Sequence, residues 1–210
     1  MSSLPCDIVL LPSLKLANKA IEASNATRQY ESFFTLENGK FYPHMSLYMF
    51  QLNEADISKV EEVLTKIAKD FNVVSAKATT YSLGEGFGVG YVDPEYEVTD
   101  EQSNLQDSVI EAVNPIREGM RESDIKKMRD AEGLKLENLQ NYGYPAVGDL
   151  FRPHMTLTRL KEHNPKVLEL LPQDISTFNG VFDRLGLFEM GDNGTCIRKI
   201  AEFELCSSRE

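Results

Sequence analysis

The chain has 210 residues, enough for one sizeable core or two small lobes, and its apolar fraction of 41% is that of an ordinary globular protein. A formal net charge of −11 leaves no global positive field to recruit long nucleic acid, although a local cleft can still bind a small anion. Cys6, Cys196 and Cys206 show no C-x-x-C spacing, and no apolar stretch nears the roughly 18 residues of a membrane span. Neither a disulfide framework, a structural zinc site nor a membrane helix is therefore expected, and a reducing, cytoplasmic setting fits best.

Residues 6–12 form a short apolar run closed by Pro12, which predicts a strand. Leu14, Ala17, Ala20, Ile21 and Ser24 recur at helical spacing, so a helix is predicted from Leu14 to Gln29. Residues 31–36 and 41–50 read as strands, with Asn38-Gly39 between them as a hairpin signal. Ile57, Val60, Leu64, Ile67 and Phe71 predict a second helix over 54–71. Two strands follow, Val73–Tyr81 and Phe87–Val92, joined by a turn rich in glycine. Gly84, Gly86, Gly88 and Gly90 lack the offsets of a dinucleotide or phosphate loop, so close backbone approach is the better reading.

The charged stretch from Thr99 to Asn141 is helical in pattern, with Leu105, Val109, Ala112 and Val113 on one face and Pro115 as a stop or kink. Its segment 118–137 reads as a solvated face or as a lid. A strand at 151–160, a short helix near Pro165–Leu171, and strands at 180–189 and 196–205 around the turn Gly191–Gly194 complete the chain.

One short sequence occurs twice. Phe41-Tyr42-Pro43-His44-Met45-Ser46-Leu47 returns 110 residues later as Phe151-Arg152-Pro153-His154-Met155-Thr156-Leu157 (154 − 44). The chain holds three histidines, and two of them occupy the same place in this repeat. In a strand, residues i and i+2 share a face, so His44, Ser46 and Tyr48 should align, as should Arg152, His154, Thr156 and Thr158. Arg159 falls on the opposite face unless the strand bends. Packing alone explains the matching Phe, Pro and Leu. It explains a matching imidazole and hydroxyl less well, because buried polar groups are costly without partners. Two such units across a cleft suit in-line displacement at phosphorus, with one imidazole taking a proton from the attacking oxygen and the other protonating the leaving oxygen. The arrangement calls for no metal and no cofactor. His163, in a polar turn without a counterpart in the first half, reads as a surface histidine.

The twofold His-x-Ser/Thr pattern, each copy preceded by proline and followed by an apolar residue, resembles the 2H phosphoesterase superfamily, which includes RNA 2′-5′ ligase-like proteins and cyclic nucleotide phosphodiesterases. The resemblance implies a bilobal, internally duplicated α+β fold spanning 1–210 as a single domain, with two concave antiparallel sheets, outer helices and a central cleft. It implies catalytic roles for His44, Ser46, His154 and Thr156, without metal, on a cyclic phosphate or 2′-5′ linkage. Arg159 after the threonine resembles some ligase-like members, whereas the first copy has Met49 there. Arg152 and Arg159 are candidate phosphate ligands, and Tyr42, Tyr48 and Tyr91 candidate stacking residues. The expected partner is a small nucleotide or an RNA end, bound by a monomer away from membranes. The alternatives are a 2′-5′ ligase-like enzyme and a nucleotide- or RNA-end-binding module without turnover. A metallohydrolase built on both histidines and a carboxylate is weaker, for want of ligand spacing.

Overall fold

The computed structural model describes residues 2–85 and 88–207, so Gly86 and Phe87 lie outside the described residues. The fold is α+β, with two antiparallel sheets. The first contains β1 (Ser3–Pro12), β3 (Met45–Asn53), β4 (Val74–Ala76), β8 (Gly180–Met190) and β9 (Cys196–Glu204) in the order β3-β1-β8-β4. β9 pairs along the same outer edge of β8 as β4 does. The second contains β2 (Ser32–Thr35), β5 (Ala78–Leu83), β6 (Tyr91–Tyr96) and β7 (Thr158–Leu160) in the order β2-β7-β6-β5. The helices are α1 (Leu14–Ala26), α2 (Ile57–Asp70), α3 (Asp100–Val113), α4 (Glu122–Lys127) and α5 (Gly133–Tyr142). Among the described residues no helix is long and apolar enough to cross a membrane.

The helices follow from apolar spacing and caps. α2 buries Val60, Leu64, Ile67 and Ala68. α3 starts at a reciprocal cap between Thr99 and Gln102, buries Leu105, Val109, Ile110 and Val113, and stops before Pro115. α1 is rotated from the expected phase: Leu16, Ala20, Ala23 and Ser24 are buried, whereas Leu14 is 70% exposed. Gly90, at φ +84°, leaves room where a Cβ would strike the Leu160 carbonyl, so the expected close backbone approach is found there.

The predicted hairpin over 31–50 does not form. The turn exists, with Glu37 and Phe41 exchanging backbone hydrogen bonds of 3.0 Å, but β2 joins β7 in one sheet and β3 joins β1 in the other. Pro43 has no N–H to offer a ladder, and the chain crosses between the sheets over residues 42–44.

Both motif segments carry a bulge at the same place. Ile8 lies opposite Tyr48 but Val9 opposite Ser46, which makes Leu47 the extra residue. Val92 lies opposite Thr158 and Glu95 opposite His154, so three steps along β6 meet four along the second motif. A bulge orphans backbone groups, and buried ones need partners. The Leu47 carbonyl accepts from Gln106 Nε2 of α3 at 2.9 Å, and the Leu157 carbonyl accepts from Ser24 Oγ of α1 at 2.6 Å. Thus α1, which follows a strand of the first sheet, supports the motif of the second, while α3, which follows a strand of the second, supports the motif of the first.

The bulges reset which residues share a face. His44 and Ser46 are half-buried, Met45 and Leu47 buried, and after the bulge Tyr48 is buried rather than placed beside His44. In the second copy Thr158 turns inward in the same way, and Arg159 returns to the half-buried face of His154 and Thr156. Regular pairing there is confined to Thr158–Leu160, shorter than the predicted strand over 151–160.

Candidate active site

Each motif holds its imidazole by the same contact. His44 Nδ1 lies 2.7 Å from the Tyr42 carbonyl and His154 Nδ1 lies 2.7 Å from the Arg152 carbonyl. A carbonyl only accepts, so Nδ1 carries the hydrogen in both rings and Nε2 keeps its lone pair when the ring is neutral. The residue two positions back thus sets the tautomer in both halves. The two rings are near enough that charge on His154 lowers the pKa of His44. His44 and Thr156, one from each motif, line a common cavity with Tyr42, Gly194 and Cys196. Its volume is about 10 Å³, room for about one water and far below the roughly 300–1,000 Å³ of most ligand pockets.

The half-sites differ in electrostatics. Burial drives His44 down to about 4, against the opposing pull of the Tyr42 and Gly194 carbonyls. His154 stands at a more open position. Ser46 Oγ donates to Asp7 Oδ2 at 2.6 Å, and the same Oδ2 lies 3.9 Å from His44 Nε2. Asp7 projects from β1, is fully buried, and is raised to about 7 by desolvation, which outweighs the Ser46 hydroxyl and the charge of Arg121. Among the described residues Thr156 has no hydrogen-bond partner for its hydroxyl, so the two hydroxyls of the repeat are differently engaged.

The other expected site residues separate. Arg159 reaches across to the β8–β9 turn, donating from Nη1 to Asn193 Oδ1 at 2.7 Å and from Nε to the Val89 carbonyl at 3.1 Å. Its guanidinium lies 4.6 Å from the Tyr91 ring and 5.3 Å from that of Phe33, which is 52% exposed. Asn193 sits at φ +59°, a left-handed conformation that asparagine tolerates. Tyr42 packs its ring on Phe188 at 5.0 Å and lines the cavity. Arg152 is tied to β6, 2.7 Å from Asp93 and 3.7 Å from Glu95. Tyr48 must be withdrawn as a stacking candidate. The bulge buries it, its ring stacks on Phe50, and its hydroxyl donates to the Tyr142 carbonyl at 2.7 Å.

Residues that sequence reasoning did not single out surround the first motif. Arg121 is buried before α4, donates from Nε to Asp124 at 2.7 Å and from Nη1 to Met190 Sδ at 3.2 Å, and exerts its charge on Asp7. The charged segment 118–137 is therefore only partly a solvated face: Glu118 and Gly119 bond to Gln51 of β3, and Arg121, Asp124 and Ala131 are buried. Asp7 is detectable in principle, as a lone carboxylate inside the apolar run Cys6–Leu11. Cys196 reaches the cavity, Arg121 the neighbourhood of Asp7, and Asn193 the Arg159 guanidinium through topology, with no local signal.

The architecture is shared with solved structures. TT0787 of Thermus thermophilus is 15% identical, with a TM-score of 0.61 over 98% of this chain and 100% of that one. E. coli LigT complexed with phosphate is 9% identical, with a TM-score of 0.58 over 99% and 100%. LigT complexed with 3′-AMP gives 9% and 0.58 over 98% and 100%. At these identities the likeness establishes the LigT-like fold. No curated protein matches the sequence. The profile of a family described as "Protein of unknown function (DUF1045)" matches residues 49–195, which take in the second motif, the part of β3 beyond the bulge and the β8–β9 turn, and the chain therefore belongs to that family.

Proposed function

We propose that the protein is a metal-independent 2H-type phosphodiesterase that hydrolyses a cyclic phosphate or 2′-5′ linkage in a small nucleotide or RNA terminus. The observation that carries this reading is the matched Nδ1-to-carbonyl contact, 2.7 Å in both motifs, which leaves Nε2 of each histidine for proton transfer. Environment divides the roles. His44, held neutral by burial, is the base that takes a proton from the attacking water. His154, on the open side, is the acid that protonates the leaving oxygen, so the P–O bond breaks as a new one forms and the product is a phosphomonoester with a free hydroxyl.

Thr156, whose hydroxyl is uncommitted, donates to a non-bridging oxygen as charge builds on phosphorus. Arg159, Tyr91 and Phe33, which lie against one another beyond the second motif, offer one cationic and two aromatic surfaces for a phosphate or base. The net charge of −11 favours a small substrate over long RNA. LigT has been captured with phosphate and with 3′-AMP, ligands of the same kind as the proposed product.

The test is a substrate panel in excess chelator: 2′,3′-cyclic nucleotides, 2′-5′ dinucleotides, an ADP-ribose cyclic phosphate and 3′-5′ RNA ends. Turnover of at least one member should fall by roughly 10²–10⁴-fold in His44→Ala and in His154→Ala. Near-full activity in either variant refutes the two-histidine mechanism. Activity that vanishes in chelator and returns with added metal refutes metal independence.

A further inference from the structure

The first half-site contains two buried groups that the acid/base reading does not use, Asp7 and Cys196, beside the His44 ring that it does use. Asp7 from β1, His44 before β3 and Cys196 at the start of β9 each offer one donor atom, and these atoms all lie within 4.8 Å of one another. They come from three separate stretches of chain, which is why no ligand spacing is visible in the sequence. Asp7 and Cys196 are fully buried, the His44 side chain is 10% exposed, and the second carboxylate oxygen, Asp7 Oδ1, has no hydrogen-bond partner among the described residues. A fully buried carboxylate oxygen without a donor marks a place where a partner is missing. The His44 ring is already oriented as a ligand: its Nδ1–H is taken by the Tyr42 carbonyl, which turns Nε2 toward Asp7 at 3.9 Å.

We propose that Asp7, His44 and Cys196 form a binding site for a thiophilic divalent cation of the zinc class, and that the cation inhibits by occupying the His44 Nε2 lone pair. One carboxylate, one imidazole and one thiolate make a mixed N/O/S set that suits zinc and disfavours magnesium or calcium, which prefer oxygen. Bonds of about 2.0–2.3 Å in a tetrahedral site place donor atoms roughly 3.3–3.8 Å apart, so the widest pair of the cluster needs to close by about 1–1.5 Å. The cavity lined by His44, Thr156 and Cys196 supplies the entry path and a fourth position for water. Binding releases the Cys196 thiol proton and any proton held by the Asp7 carboxyl to solvent, and involves no redox change. The inhibitory half rests on His44 being the base proposed above, whereas the binding half does not.

The full chain, freed of metal with chelator, is titrated with Co²⁺ and followed by absorption. One equivalent should produce a thiolate-to-cobalt charge-transfer band that Zn²⁺ abolishes by displacement. Cys196→Ser should lose the band, while Cys6→Ser and Cys206→Ser should keep it. Asp7→Asn, close in shape to the parent, should weaken cobalt binding by roughly tenfold or more, which keeps the test open if Cys196→Ser fails to fold. No band in the parent, a band that survives in Cys196→Ser, or unchanged affinity in Asp7→Asn overturns the site. On the best substrate of the panel, Zn²⁺ should inhibit with the midpoint found by displacement, and activation instead overturns the inhibitory role. A band without turnover on any substrate refutes the phosphodiesterase reading and leaves the cation site standing. Turnover without a band does the reverse.

Discussion

Asp7 should make the fold more stable in acid than in mild base, and its neutral isostere should remove that dependence. Burial raises its carboxyl from 3.8 to about 7, so the folded chain holds this proton more tightly than the unfolded chain does. Between those values the folded state binds more protons, and stability therefore falls as pH rises through the window, with the whole penalty present above about pH 7. A shift of roughly three units at about 1.36 kcal/mol each sets a ceiling near 4 kcal/mol. Relaxation around the ionised group brings the expected value to about 2–4 kcal/mol. In Asp7→Asn the Ser46 hydroxyl still has a side-chain oxygen to donate to, and no charge has to be buried. The variant should match the parent near pH 4 and exceed it at pH 8, by roughly 5–10 °C in Tm for a chain of this size. The assay is thermal unfolding of both proteins from pH 4 to 8, in chelator so that no cation compensates the carboxylate. A difference that does not change with pH, or a variant less stable than the parent at pH 8, would refute the claim that Asp7 is an uncompensated buried acid.

The remaining expectations concern turnover. Thr156→Val should lower kcat by about tenfold or more with a smaller change in KM, and Thr156→Ser should keep most activity; a Val variant equal to the parent would make the hydroxyl a packing group. Because His44 is held down to about 4, the acid limb of kcat/KM should fall near that pH, and a limb near the ordinary imidazole value of about 6.5 would remove His44 from the role of base. Arg159→Met installs the residue found at the matching place in the first motif, and should raise KM more than it lowers kcat while speeding amide exchange at residues 191–195. Unchanged exchange there would mean that the Asn193 contact does not hold the turn.

The parts of this molecule legible in the sequence are those set by local periodicity or by exact repetition. α2 and α3 follow from apolar spacing and a stop at Pro115, and the two motifs declare themselves through a shared offset. The Asn38–Gly39 turn is also legible, but not its consequence, because strand pairing depends on which edges are free elsewhere. The faces of Tyr48 and Arg159 depart from strict alternation for a single reason. A bulge inserts one residue, and with a side-chain period of two every residue beyond it changes face. Nothing about Leu47 or Leu157 distinguishes a bulged leucine from a regular one. The distinguishing partners, Gln106 and Ser24, lie in helices 59 and 133 residues away.

Repetition of the motif has not produced two equal half-sites, and the asymmetry follows from what faces each strand. Across from Met49 the first sheet places Asp7, whereas across from Arg159 the second places Tyr91. In the first half a buried carboxylate takes the Ser46 hydroxyl and lies beside the His44 ring; in the second an arginine lies over an aromatic ring and the Thr156 hydroxyl is left for something else. A pair of imidazoles with identical surroundings would gain and lose protons together, which does not suit the acid and base roles proposed above. Desolvation of the His44 side chain breaks that equivalence, while the common Nδ1 contact preserves the geometry of both rings. The duplicated strand thus supplies matched positions, and the unmatched neighbours on β1 and β6 supply the difference in chemistry.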